Sequence, residues 1–197
     1  MNVIFDIGMV LLDFCFEDFV RTQFGFDGET AQTVIDAMWK SGDWGELDRG
    51  VLSDEEVLQR FISHAPDCER QIRLVFARVG ECPKLREFAV PMIKQLKADG
   101  HRVYYLSNYF SFLIHTAPWA LEFTQYTDGG IFSCFEHLTK PDRRIYELLC
   151  ERYSLDPKEC VFIDDTPANV KAAQEFSMKG IQYTGQSSDE LISEIEN

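Results

Sequence analysis

The sequence predicts an α/β protein with a doubly wound parallel sheet and a helical cap inserted after the first strand. One observation is that short apolar runs end at polar residues, as Val3-Ile4-Phe5 ends before Asp6 and Val161-Phe162-Ile163 ends before Asp164. Such runs are typical of strands buried on both faces of a parallel sheet. The second observation is that apolar residues recur with helical spacing between the runs. Alternating strands and helices favour parallel strands joined by crossover helices.

The composition is ordinary for a globular chain, but the charge is strongly negative. The 197 residues are 45% hydrophobic and 26% charged, with a formal net charge of −14. We expect no nucleic-acid or membrane partner, because phosphate backbones and anionic lipids are bound by basic surfaces. No apolar run approaches the roughly 20 residues that span a bilayer, and the first residues lack the pattern of a signal peptide. A cytoplasmic location is therefore expected.

A helical insertion is predicted to follow the first strand. Residues 8–16 have the character of a turn and a short extended flap. From residue 16 to residue 82 the apolar spacing changes to about 3.6 residues, which predicts helices, and a capping box of Ser53 and Glu56 begins one of them. The predicted domains are a core formed by residues 1–15 and 83–197 and a helical cap formed by residues 16–82.

The rest of the chain is predicted to alternate helices with strands. Pro83 begins a helix that Gly100 ends, and a strand over residues 101–106 follows. Residues 116–127 are assigned as helix. The later elements are a strand over residues 129–134, a helix opened by Lys140 and Pro141, a strand over 161–163, a helix between Thr166 and Gly180, a strand over 180–184 and a helix over 187–197.

Polar residues stand where the predicted strands end or a helix opens. They are Asp6, Ser107, Asn108, Lys140, Asp164 and Asp165. Parallel sheets gather the carboxyl ends of their strands around one crevice, so these residues are expected to meet there. Each residue alone also has an ordinary structural use in a turn, a helix cap or an exposed surface. Only the combination indicates a shared functional site.

The order of these residues resembles the haloacid dehalogenase superfamily of phosphatases and phosphotransferases. In that family the first strand carries an aspartate nucleophile, the second ends in Ser or Thr, a Lys follows and an acidic pair closes the set. Asp6, Ser107, Lys140 and Asp164-Asp165 stand in that order over almost the whole chain. The resemblance implies a Rossmann-like core, a helical cap and an enzyme that hydrolyses a small phosphorylated substrate.

A Mg²⁺ cofactor is also implied. Carboxylates that meet at one sheet edge repel each other, and a hard cation with oxygen ligands removes the conflict. The expected ligands are the carboxylate of Asp6, the backbone carbonyl of Gly8 and the carboxylate of Asp165, while Asp164 orients the metal waters. The family pattern favours Asp165 as the direct ligand, but the residues alone leave the choice between the two acids open.

The implied mechanism makes Asp6 and Lys140 the catalytic residues. Asp6 attacks phosphorus in line and forms an aspartyl phosphate that water hydrolyses. Lys140 neutralises the phosphoryl oxygens, while the hydroxyl of Ser107 and the backbone amide of Asn108 complete the substrate-binding clamp. The cap would close over this site. Its candidates to face the substrate, each equally compatible with a solvated loop, are Trp44, Glu46, Asp48 and Arg49.

One position departs from the family pattern. Most phosphatases of the family carry a second aspartate two residues after the nucleophile, where this chain has Gly8. A bacterial branch of sugar-phosphate phosphatases, which includes enzymes acting on α-D-glucose 1-phosphate, shares the Asp-x-Gly pattern. The resemblance to this branch implies a phosphatase, with a sugar phosphate as a candidate substrate, in which Asp13, a cap residue or a substrate hydroxyl replaces the missing acid.

Two alternatives follow from the missing acid. One is a metal-independent, dehalogenase-like hydrolase, against which the retained pair Asp164-Asp165 argues. The other is a non-catalytic phosphate-binding or regulatory protein, which the intact nucleophile and lysine make less favourable. The substrate, the group that replaces the missing acid and the oligomeric state are not determined by the sequence.

Overall fold

The computed structural model describes all of residues 1–197. The strands are β1 (Asn2–Phe5), β2 (Leu12–Asp13), β3 (Lys84–Leu85), β4 (Arg102–Ser107), β5 (Gly129–Phe132), β6 (Cys160–Asp164) and β7 (Lys179–Gln182). The α-helices are α1 (Phe16–Gln23), α2 (Gly28–Ile35), α3 (Trp44–Arg49), α4 (Asp54–His64), α5 (Glu69–Arg78), α6 (Ala89–Ala98), α7 (Ser111–Thr116), α8 (Ser133–Glu136), α9 (Arg143–Tyr153), α10 (Pro167–Glu175) and α11 (Ser188–Glu196).

Five strands form one parallel sheet in the order β5-β4-β1-β6-β7. The α/β fold class and all the predicted core strands are therefore confirmed. The chain builds outward from β1 through β4 and β5 on one side, and through β6 and β7 on the other. The centre of the sheet is thus the switch point at which parallel α/β folds bind their ligands.

The two faces of β1 lie in two apolar cores. Val3 and Phe5 belong to the larger core, which also contains side chains of the inserted helices such as Phe61. Ile4 belongs to the smaller core, where Tyr146 of α9 is fully buried. Because successive residues of a strand point to opposite faces, one short apolar run supplies both cores.

Residues 16–82 contain helices α1 to α5. A π-helical turn, Asp36–Lys40, continues α2, and the predicted capping box of Ser53 and Glu56 begins α4. The apolar faces of these helices belong to the larger core, which also contains side chains of the sheet. The division into core and cap remains a prediction from the sequence. None of the helices is long and apolar enough to cross a membrane.

The helix predicted from Pro83 begins later than expected. Lys84–Leu85 instead forms β3, which pairs antiparallel with β2, and α6 begins at Ala89. The reason is that the backbone of the flap forms hydrogen bonds with this segment. Leu12 pairs with Leu85, and the backbone amide of Arg86 donates to the carbonyl of Leu11 over 3.0 Å.

Residues 116–127 and Gly180 also differ from their predictions. Helix α7 ends at Thr116, and 3₁₀ turns cover Pro118–Tyr126. Gly180 does not end a helix, since α10 ends at Glu175 and Gly180 lies inside β7. A Cβ atom there would crowd Val170 of α10, so the glycine permits close packing of helix and strand.

Lys140 and Pro141 lie outside the helix that they were predicted to open. Helix α9 begins at Arg143, and the side chain of Asp142 caps it by accepting a hydrogen bond from the backbone amide of Arg144 over 2.9 Å. The backbone of Lys140 is bound elsewhere, as described below. This prediction was wrong because a long-range contact outweighs the local preference of proline for the first turn of a helix.

Candidate active site

Asp6, Lys140 and Asp164 meet at the carboxyl edge of the sheet. Asp6 follows β1 and Asp164 ends the adjacent strand β6, where the backbone amide of Asp6 donates to the carbonyl of Ile163 over 2.8 Å. The ammonium of Lys140 lies 2.7 Å from Oδ1 of Asp6 and 2.6 Å from Oδ2 of Asp164. The Lys140 side chain is only 1% exposed. One buried cation therefore links two buried acids.

The buried charges alter each other's protonation. Burial raises the pKa of Asp6 from 3.8 to about 6, although Lys140 lowers it and Asp164 raises it further. Burial alone would lower the pKa of Lys140, but the carboxylates of Asp6 and Asp164 outweigh it and raise that pKa. Near neutral pH, Asp6 is therefore mostly a carboxylate and Lys140 an ammonium.

Asp164 is surrounded by hydrogen-bond donors. Its Oδ1 accepts from the backbone amide of Thr166 over 2.8 Å, and the amide of Asn169 donates to Oδ1 and Oδ2 over 3.1 and 3.0 Å. Asp165 is different, because it is half-buried and lines the cavity above Asp6. Burial, followed by the charge of Asp164, raises the pKa of Asp165.

The oxygen atoms of three acids are close enough to share a cation. One carboxylate oxygen from each of Asp6, Asp164 and Asp165 lies within 4.8 Å of the others. Gly8, the predicted backbone ligand, lines the same cavity as Asp6 and Asp165. A set of hard oxygen donors fits Mg²⁺, which takes few protein carboxylates and keeps several waters.

Asn108 has a structural role that the sequence did not predict. Its Oδ1 accepts from the backbone amide of Lys140 over 2.8 Å, and its Nδ2 donates to the carbonyl of Lys140 over 3.0 Å. These bonds connect the end of β4 to the loop that carries the lysine. Ser107, the preceding residue, is buried, and its hydroxyl lowers the pKa of Asp6 by hydrogen bonding.

Asn169 is another site residue that the sequence analysis did not predict. It lies on α10, is buried and contacts both oxygens of Asp164. No local pattern sets this asparagine apart from a solvated helix residue. The only available signal is its position on the helix that follows the acidic pair.

A cavity of about 260 Å³ lies above Asp6, and the cap contributes to its wall. Among the cap candidates, Trp44 and Asp48 line the cavity. Glu46 and Arg49 do not, and instead they pair with each other over 3.7 Å, where Arg49 is exposed. The helical period explains the division, because neighbouring residues of a short helix point in different directions.

Asp13, one suggested replacement for the missing acid, lies elsewhere. It lines a separate cavity of about 400 Å³ that does not include Asp6. Its Oδ1 is 2.9 Å from a guanidinium nitrogen of Arg86. The larger of the two cavities is therefore not the one that contains the candidate catalytic groups.

Comparisons with known proteins identify a family for most of the chain. The sequence profile of the haloacid dehalogenase-like hydrolases matches residues 15–176. Among curated relatives, acyl-CoA dehydrogenase family member 10 of Mus musculus is 28% identical over 158 residues, which cover 76% of this chain and 15% of that protein. The flavin mononucleotide hydrolase 1 of Arabidopsis thaliana is 25% identical over 77% of this chain and 60% of its own length. The chain thus spans less than two thirds of both proteins.

Two further matches cover nearly the whole chain. The sesquiterpene phosphatase astK of Aspergillus oryzae is 26% identical over 92% of this chain and 88% of its own length. A haloacid dehalogenase family enzyme of Bacteroides thetaiotaomicron, solved with magnesium and inorganic phosphate, is 22% identical and has a TM-score of 0.71. That alignment covers 96% of this chain and 98% of the other, which shows that the two share a fold.

Proposed function

Because the chain belongs to the haloacid dehalogenase-like hydrolase family, we propose that it is a Mg²⁺-dependent phosphatase that acts on a small phosphorylated metabolite. The observation that carries this proposal is the buried ion pair of Asp6 and Lys140 beside the acids Asp164 and Asp165. The hydrolase and phosphatase named among the relatives support the same reaction. A cytoplasmic location stays a prediction.

Asp6 is the proposed nucleophile. Its carboxylate forms a new bond to phosphorus while the ester P–O bond breaks and the alcohol leaves. Water then attacks the aspartyl phosphate, which releases inorganic phosphate and regenerates the carboxylate. Lys140 lies 2.7 Å from Asp6 and would offset the charge of the phosphoryl oxygens as they approach. Ser107 and the backbone amide of Asn108 would complete the clamp.

The proposed ligands of Mg²⁺ are Asp6, the carbonyl of Gly8 and Asp165. Asp164 already accepts hydrogen bonds and an ion pair from protein groups, whereas Asp165 faces the cavity. This difference supports Asp165 as the direct ligand and Asp164 as the residue that orients metal waters. When bound, the cation would neutralise the phosphoryl group and reduce repulsion among the acids.

The test is phosphomonoester hydrolysis with and without Mg²⁺, in wild type and in Asp6→Asn. We expect turnover to require both the cation and Asp6. Asp67→Asn, which changes an exposed acid of the cap, is the matched control and should keep full activity. Independently of activity, Mg²⁺ at about 100 times its Kd should stabilise the wild type by about 2.7 kcal/mol, and Asp165→Asn should abolish that stabilisation.

Two outcomes would replace the proposal. Release of halide from a 2-haloacid without metal would favour the dehalogenase-like alternative. Thermal stabilisation by phosphate without turnover of any ester would favour a phosphate-binding role. A sugar phosphate remains one candidate substrate from the sequence. The residues that line the cavity provide a separate criterion for the class of substrate.

A further inference from the structure

The cavity above Asp6 has a mainly apolar and aromatic wall. Trp44 lies edge-on to Phe110 with ring centroids 5.5 Å apart, and Trp39 meets Trp44 at 4.9 Å. Phe14 of the flap packs against the same two tryptophans, at 5.9 and 6.0 Å. Aromatic pairs in these arrangements stabilise each other beyond the area they bury, so the rings support one another as one apolar wall.

The polar groups of the wall are few and mostly acidic. The charged residues that line the cavity are Asp6, Asp48 and Asp165, with no lysine, arginine or histidine among them. The amide of Asn108 already bonds to the backbone of Lys140. A second phosphate would meet only negative charge here. Beyond the acids, most of the surface available to the rest of a substrate is apolar.

The apolar surface continues outward from the site. A second cavity, of about 320 Å³, shares Met9, Phe14 and Trp39 with the first. Met9 is 37% exposed and Trp39 is 38% exposed. An apolar path therefore leads from the acids to the surface between the flap and the cap.

We propose that the substrate is the monophosphate ester of an apolar alcohol, whose hydrocarbon part lies against Phe14, Trp39 and Trp44. The inference rests on the proposed phosphatase function and specifies its leaving group. The phosphoryl group occupies the polar end of the cavity at Asp6, and the apolar group follows the aromatic wall outward. This assignment replaces the sugar phosphate suggested by the sequence.

The experiment compares kcat/KM for an isoprenyl monophosphate, a polyol monophosphate and a nucleoside bisphosphate. We expect the isoprenyl ester to be preferred at least about 10-fold, and Trp39→Ala to raise its KM about 10-fold while leaving the polyol ester unchanged. Trp119→Ala, which removes another exposed tryptophan that does not line the cavity, is the control and should change neither.

The outcomes distinguish failure of the proposed apolar substrate from failure of the proposed phosphatase function. Preference for the polyol ester, or an equal effect of Trp39→Ala on both esters, would overturn the apolar substrate and leave the phosphatase intact. Hydrolysis of none of the esters by the Mg²⁺-loaded enzyme would overturn both.

A separate observation concerns Asp48, in the last turn of α3. Its side chain lines the same cavity as Asp6, and no protein group donates a hydrogen bond to its carboxylate. Its backbone is fixed, because the hydroxyl of Ser133 donates to its carbonyl and Nδ1 of His137 donates to the carbonyl of Arg49 over 3.1 Å. The cap thus holds one free carboxyl group over the site.

Gly50, two residues after Asp48, also fixes this part of the cap against the core. Gly50 has φ +64°, and a Cβ atom there would overlap the backbone of Cys134. The cap backbone therefore approaches the core as closely as a glycine allows. The position of the Asp48 carboxyl group relative to the sheet edge is set by packing rather than by a mobile loop.

The chemistry of the site needs such a group. Gly8 stands where the family usually has its proton donor, so the alcohol oxygen has no donor from β1. Burial raises the pKa of Asp48 from 3.8 to about 7, with Asp6 raising it further and Lys140 lowering it. A carboxyl group with this pKa can both give and take a proton near neutral pH.

We infer that Asp48 is the general acid and base of the proposed phosphatase reaction. It gives its proton to the alcohol oxygen as the ester P–O bond breaks. It then takes a proton from the water that attacks the aspartyl phosphate, which returns it to its starting state. The proton balance closes over one turnover without another group.

The test is Asp48→Asn with two esters that differ in their leaving group. For an alkyl phosphate, whose alkoxide needs a proton, we expect kcat/KM to fall about 10²- to 10⁴-fold. For 4-nitrophenyl phosphate, whose phenolate leaves unprotonated, the loss should be much smaller. Glu46→Gln on the same helix is the control and should change neither ester.

A purely structural role of Asp48 predicts a different result for the two esters. It would lower the activity on both esters equally, and that result would overturn the assignment, as would full activity of Asp48→Asn on the alkyl ester. Stabilisation by Mg²⁺ to the wild-type extent would show that the variant is folded. Failure of every variant and of the wild type on both esters would instead overturn the phosphatase itself.

Discussion

The ammonium of Lys140 lies 2.7 Å from Oδ1 of Asp6, and both side chains are almost completely buried. Asp164 holds the same ammonium from the other side at 2.6 Å. The cation thereby offsets two buried negative charges that would otherwise repel each other. The arrangement of the nucleophile depends on this lysine even before a substrate arrives.

Lys140→Met is expected to destabilise the metal-free protein by about 3–5 kcal/mol, because it leaves two buried carboxylates without their cation. Urea unfolding in the presence of a chelator measures the loss. Lys171→Met is the matched control, since the Lys171 side chain is 76% exposed and its pair with Glu175 should contribute at most about 1 kcal/mol. Equal losses in the two variants would contradict the role assigned to Lys140.

Asn108→Ala should disturb Lys140 without touching its side chain. The variant leaves the backbone amide and carbonyl of Lys140 without their partners, and we expect a loss of about 1–3 kcal/mol in unfolding free energy. kcat should fall because the ammonium is no longer held beside Asp6. Unchanged kcat in Asn108→Ala would argue against this positioning role.

Comparing Gly50→Ala with Gly42→Ala distinguishes backbone strain from steric overlap between the cap and the core. Both glycines have positive φ, +64° and +90°, but only Gly50 faces backbone atoms of Cys134. Each alanine should cost about 1 kcal/mol for the backbone conformation, and Gly50→Ala should cost about 1–3 kcal/mol more through overlap. Thermal unfolding measures both. We also expect a raised KM only for Gly50→Ala, and equal behaviour of the two variants would refute the close contact.

Asp48 should make the metal-free protein less stable as pH rises. Its pKa is raised from 3.8 to about 7 in the folded state, so between these values the folded chain binds the proton more strongly than the unfolded chain does. Stability is therefore lost as pH rises from about 4 to about 7, by at most about 4 kcal/mol, since each pKa unit corresponds to about 1.36 kcal/mol.

Asp48→Asn removes this contribution. The variant should match the wild type near pH 4 and become the more stable protein above pH 7. Denaturant unfolding across this pH range measures the difference. Asp6 is present in both proteins, but its charge raises the pKa of Asp48, so the comparison measures the Asp48 carboxyl group together with its interaction with Asp6. A stability difference that does not depend on pH would contradict the raised pKa of Asp48.

The sequence by itself determined the class of fold and the family. Short apolar runs that end at Asp6, Ser107 and Asp164 are local patterns, and the strands formed where these runs predicted them. Their carboxyl ends meet because parallel strands in one sheet must bring equivalent ends to one edge. The grouping of Lys140 with the acids could thus be expected from the order of the residues alone.

The tertiary structure alone decided how these residues are held and what surrounds them. The bonds between Asn108 and Lys140 join residues 32 positions apart, and they keep the lysine out of the helix that proline would have favoured. The choice of Asp48 over Glu46 and Arg49 depends on how α3 packs against Ser133 and its neighbours. Local periodicity contains no information on such contacts, because their energy comes from groups that become neighbours only after the chain has folded.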